Sequence, residues 1–181
     1  MNKKSINCIV ISALFIAIGV VLPIAFHMVG GNLGRVLLPM HIPVLIAGFY
    51  LPMGYAAIVG LVTPILSSLL TAMPPLYPTG VTMMFELATY AFVVSLLFAF
   101  VKKNRKLTKN NIYIYVILVI AMLCGRIVSG VAYWIVGTGA AFNPFAYIAA
   151  NIATGWIGIV VQLSVIPIIV MFVKRNESLE Y

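Results

Sequence analysis

The chain has 181 residues, 64% of them hydrophobic and 8% charged, and its 11 basic residues face three acidic ones. Soluble domains are about half apolar and about a quarter charged, so this composition excludes a water-soluble fold and fits lipid as the solvent. The formal net charge of +8 does not point to nucleic acid, because the basic residues stand in short groups beside apolar runs, as membrane orientation signals do.

Six apolar segments follow in chain order, at residues 6–28, 37–51, 55–70, 81–101, 112–136 and 146–173. They predict a single all-α transmembrane domain over residues 1–181, a six-helix bundle. The first segment is too long for a signal-peptide core and has no small-x-small cleavage site behind it, so it reads as a retained span. The second and third are short, about 15 residues each where a crossing wants about 20, and they contain Pro43, Pro52 and Pro64. They read either as short, kinked spans or as a hairpin that turns back inside the protein. Both readings add an even number of crossings.

Orientation comes from the basic residues. Lys3 and Lys4 precede the first segment, Lys102, Lys103, Arg105, Lys106 and Lys109 follow the fourth, and Lys174 and Arg175 follow the sixth. Six crossings put all of these on one side, which is cytoplasmic, with both termini. Arg35 falls in an outer loop. The outer connections, HMVGGNLGRV, TAMPPLYPTG and GTGAAFNPF, are rich in Gly, Pro, Asn and aromatic residues, a composition that suits loops capping a site. Residues 30–34, GGNLG, lack the Gly-Lys-Ser/Thr ending of a phosphate loop and read as a flexible loop or lid.

Two charges lie inside apolar runs, Glu86 in the fourth segment and Arg126 in the fifth. An ionised side chain in hydrocarbon costs several kcal/mol unless it meets a partner or a wet cavity, so these two are the leading site candidates. Both sit within about 15 Å of the outer interface. They read as a structural ion pair or as the lining of a polar pocket open to the outside.

Tyr90 is one turn from Glu86 on the same helix face, and Tyr147 and Asn151 share a face of the sixth segment. Trp134 and Tyr133, near the outer end of the fifth, suit either a ring-stacking site or an interfacial aromatic belt. Asn143 stands in the loop before the sixth segment, and Gln162 lies deeper and reads as an interhelix hydrogen-bonding group.

His27 and His41 flank the first outer loop and read as membrane-interface histidines, since no further ligands accompany them for a metal. Cys8 and Cys124 are far apart in apolar runs and suggest neither a disulfide nor a metal site. Ala13 and Ala17, and likewise Ala56 and Gly60, have the small-xxx-small spacing that lets helices approach closely. No metalloprotease, serine-hydrolase or nucleotide-binding motif occurs, so the chain reads as a non-enzyme without a cofactor, and any ATP-driven work belongs to another subunit.

Several stretches together resemble the substrate-binding S components of energy-coupling factor (ECF) transporters. They are the first span with Ala13 and Ala17 just after Lys3 and Lys4, the long stretch LLPMHIPVLIAGFYLPMGYAAIVGLVTPILSSLLTAMPPLYP, and FELATYAFVVSLL. The resemblance covers nearly the whole chain. It implies a multi-pass protein of the prokaryotic plasma membrane that captures a vitamin in a pocket near the outer face. That pocket would be built from the fourth to sixth helices and capped by the loops after spans one and three. It also implies partners: a shared membrane subunit, EcfT, meeting the Ala13–Ala17 surface, and two ATPases that drive it while the S component topples in the bilayer. On this chain the implied ligand contacts are Glu86, Arg126, Trp134, Tyr147 and Asn151, with Tyr90 beside them. Arg126 suits a carboxylate, as in pantothenate, niacin or folate, whereas Glu86 suits a donor-rich ring, as in a pyrimidine or pyridoxine. If the two charges pair with each other, neither inference holds.

Overall fold

The computed structural model describes residues 3–29, 36–103, 111–136 and 143–177. The lid expected at residues 30–34, Arg35, the side chain of His27 and most of the basic loop after the fourth segment lie outside the described residues. All regular structure among the described residues is helical. The helices are α1 (Lys3–Val29), α2 (His41–Tyr50), α3 (Met53–Thr71), α4 (Val81–Lys103), α5 (Ile112–Val136) and α6 (Pro144–Glu177).

Five of these are long and apolar enough to cross a membrane. The expectation that segments two and three are equally short is corrected here. α3 has 19 residues and reaches crossing length, while α2 has 10. A 10-residue helix is about 15 Å long, half of the hydrocarbon thickness. Of the three prolines, Pro52 alone makes the break. It holds the preceding Leu51 in extended conformation, with φ −107 and ψ 147, which ends α2 and starts α3. Pro43 sits in the first turn of α2, where its missing N–H costs nothing, and Pro64 is absorbed inside α3. Nearly the whole of α2 is buried, from Pro43 to Phe49 and at His41, so protein rather than lipid surrounds this short element.

Side-chain contacts fix the directions. Tyr77 meets the Val136 carbonyl, Glu86 meets Arg126, and the Phe98 ring stacks on Tyr113. These pairs run in opposite order along the chain, so α4 and α5 are antiparallel. α2 runs parallel to α4: His41 lies by Glu86 and Tyr90, Gly48 by Ala91 and Val94, and Phe49 by Phe98. α4 is the centre of the bundle, with α2, α3 and α5 packed on it, α1 against α2 and α3, and α6 against α5 and α2.

Glycines set the closest approaches. A Cβ on Gly60 would come within 2.4 Å of the Leu87 carbonyl oxygen, so the α3 and α4 backbones touch there. The Pro-rich connection from α3 to α4 is sewn down by two buried serines. Ser67 donates to the Met73 carbonyl and Ser68 to the Pro74 carbonyl, each at 2.7 Å. Tyr77 then ties the same turn to the last residue of α5 at 2.6 Å.

Candidate functional site

Glu86 lies one and a half turns into α4, Arg126 about 15 Å before the end of α5, and His41 opens α2. The antiparallel packing of α4 on α5 brings the first two to one level. The parallel packing of α2 on α4 adds the third. Arg126 Nη1 donates to Glu86 Oε1 at 2.9 Å, and the Tyr90 hydroxyl donates to the same oxygen at 2.6 Å. Glu86 and His41 are each 2% exposed and Arg126 is 7% exposed. Both charges therefore point into the bundle rather than toward lipid, and they are paired with each other. A charge-assisted bond of this length, shielded from water, is strong, and removing either partner would strand the other.

The cluster depends on a bare patch of helix. A Cβ on Gly125 would fall 2.1 Å from the Tyr90 ring, so the residue next to Arg126 has no side chain because Tyr90 lies across it. Gly155 on α6 does the same for Leu38, and Arg126 Nη2 lies in ordinary contact range of that point, at 3.8 Å. Leu38 itself has φ 49, a left-handed conformation that a leucine adopts only when its surroundings hold it. Residues 36–38 thus lie pressed on α6 at Gly155 and Gly158, next to the guanidinium.

A second group stands nearby. Tyr147 stacks on Tyr133 with centroids 3.8 Å apart, and its hydroxyl shares a 3.1 Å hydrogen bond with Thr82 on α4. The half-buried Asn151 donates to the Tyr147 carbonyl at 3.0 Å within its own helix.

Of the residues expected at the site, Glu86, Arg126 and Tyr90 are in direct contact, with Tyr147 and Asn151 on the adjoining face of α6. Trp134 is not brought in: it is 60% exposed. Helical register gives the reason. Position 133 is rotated about 20° from Arg126 and position 134 about 80°, so Tyr133 shares the inward face and Trp134 turns out, as a belt residue would. Asn143 caps α6 rather than lining the cluster, its Oδ1 accepting from Phe145 N–H at 2.9 Å with Pro144 as first helical residue. Gln162 is 1% exposed and faces the interior, but its Nε2 has no hydrogen-bond partner among the described residues, so that atom does not make the expected interhelix bond.

His41 is the residue that sequence reasoning placed wrongly. It is buried within the cluster and does not sit at a wet interface. The signal was available: a histidine opening an otherwise wholly apolar helix, too short to cross on its own, has no reason to be at a lipid surface.

Ala13 and Ala17 are both exposed on the outward side of α1. Among the described residues no group of three metal-ligating side chains occurs.

A family model described as "ECF transporter, substrate-specific component" matches residues 7–170. No curated protein and no solved structure matches the chain. The family model spans all six helices and the whole cluster, and its members are substrate-binding, non-catalytic subunits that associate with EcfT and ATPase modules. With five membrane-length apolar helices and a match over most of its length, the chain belongs to the substrate-specific components of ECF transporters and is a multi-pass protein of the cell membrane.

Proposed function

We propose that this single transmembrane domain captures a vitamin or related small molecule from outside and hands it to a shared EcfT subunit driven by two ATPases. The observation that carries the reading is the buried Glu86–Arg126 pair with Tyr90 and His41, placed toward the end of the bundle that holds the Pro-rich turn and the start of α6. The alternating helix directions, with α2 counted as a crossing, support six passes with both termini in the cytoplasm, so that this end faces outward. Substrate contacts are Glu86, Arg126, Tyr90, Tyr147 and Asn151. Ala13 and Ala17 form the face that meets EcfT.

The direct 2.9 Å contact favours a second reading of the pair, as a clamp between α4 and α5 that no ligand touches. A scaffold that binds nothing is at odds with membership of a substrate-specific family.

Thermal unfolding of the detergent-purified protein against a vitamin panel tests the proposal. A ligand at about 100 times its Kd should add roughly 2.7 kcal/mol of stability. Melting curves unmoved by every vitamin would remove the capture reading. The double variant Glu86→Gln/Arg126→Gln keeps a neutral, hydrogen-bonding pair. Unchanged ligand-induced shifts in that variant would make the pair a clamp.

A further inference from the structure

The polar groups of the cluster are unequally satisfied. Glu86 Oε1 already accepts from Arg126 and Tyr90. Its charge and that of Arg126 cancel within one contact. His41 differs: its Nε2 faces Glu86 Oε1 at 3.8 Å, beyond direct hydrogen-bonding range, and its Nδ1 has no hydrogen-bond partner among the described residues. A fully buried nitrogen without a partner is rare in folded chains, because the lost hydration is not replaced. The other such atom, Gln162 Nε2, lies about 16 Å further along α6 than Asn151 and does not share the cluster's level.

The carboxylate also sets the tautomer. A negative oxygen opposite Nε2 favours the ring proton on that nitrogen, which leaves Nδ1 with a free lone pair. With that proton on Nε2, the open group at this site is an acceptor. A substrate with a net charge would have to break the 2.9 Å ion pair or sit beside it without a counter-charge, and both are costly away from water.

We infer that His41 is a substrate-binding residue whose Nδ1 accepts a hydrogen bond from a hydroxyl or N–H of a small polar substrate carrying no net charge. This rests on the cluster being the capture site. It brings α2 into a pocket otherwise assigned to the fourth to sixth helices, and it makes Glu86 and Arg126 hold the floor of the site rather than neutralise the ligand.

The test uses the full chain in detergent, equilibrated with an equimolar mixture of nicotinamide, nicotinate, pantothenol, pantothenate, riboflavin, thiamine and folate. After desalting, the retained molecule is identified by mass spectrometry. The wild type should retain an uncharged member: nicotinamide, pantothenol or riboflavin. His41→Asn places an amide near the Nδ1 position and should keep binding, whereas His41→Gln, whose amide reaches the Nε2 position, and His41→Leu should lose at least about tenfold, the scale of one hydrogen bond to a buried group. Circular dichroism and the Tm of unliganded His41→Leu provide the folding control, and the Asn–Gln comparison stands even if the Leu variant does not fold. Retention of a charged member, or equal retention by the Asn and Gln variants, overturns the inference while leaving the capture reading intact. If the wild type retains nothing, the capture reading itself falls and takes the inference with it.

Discussion

The chain carries the same small-xxx-small spacing in two helices and uses it in opposite ways. In α3, Ala56 is fully buried and Gly60 lies directly against the α4 backbone at Leu87. In α1, Ala13 and Ala17 are exposed, and the contact with α3 is made on another face, where a Cβ on Gly19 would come within 2.6 Å of the Thr63 side chain. Close backbone approach is thus built into the molecule at one site and left unfilled at the other. The spacing says that a helix can be approached closely, and the surrounding fold says by what. An unfilled seam on the outer surface suits a partner helix, in keeping with the proposed EcfT contact.

The contrast breaks most sharply at Gly60. Gly60→Leu should abolish monodisperse, folded protein on size-exclusion chromatography, because the atoms it meets are backbone and cannot yield. Recovery of a normally folded Gly60→Leu protein would mean that α3 and α4 do not touch there.

Next in size is Arg126→Ala, which leaves the Glu86 charge buried and alone. It should cost about 3–5 kcal/mol, read as a large fall in Tm, and a companion Glu86→Gln change should recover part of it. No recovery in the double variant would show that the two residues are not coupled.

Gly125→Ala should cost about 1–3 kcal/mol by pushing the Tyr90 ring off α5 and drawing its hydroxyl from Glu86. Because the clash is with that ring, adding Tyr90→Leu to Gly125→Ala should make the second change much less costly than it is alone, as a double-mutant cycle on Tm would show.

The smallest effect on stability is expected on the outer seam. Ala13→Leu/Ala17→Leu should leave the Tm within about 0.5 kcal/mol equivalent while removing co-purification with EcfT. A protein that keeps the complex after both substitutions would move the coupling face elsewhere.

Much of the fold was open to reading from composition and segment length. The fourth and fifth helices begin where their apolar runs begin, because nothing but hydrocarbon explains runs of that length. The second and third segments were harder to read, because three prolines look alike in sequence. Position within a helix decides which of them breaks it, and Pro52 does so through its effect on Leu51. At the site, Glu86, Arg126 and Tyr90 were legible because a charge in an apolar run has few explanations, and helical spacing then places its neighbours. Trp134 and Tyr133 could not be separated by depth, which they share. Their rotation about α5 separates them.

The sequence by itself determined the solvent, the helical class and the presence of two charges that must be sheltered, because each follows from the cost of putting polar groups in lipid. Tertiary structure alone decided that those charges meet each other, that His41 joins them, and which of two identical spacings faces inward. Those are relations between residues on different helices, far apart in the chain, set by how α2, α3, α4 and α5 pack, and no local pattern encodes them.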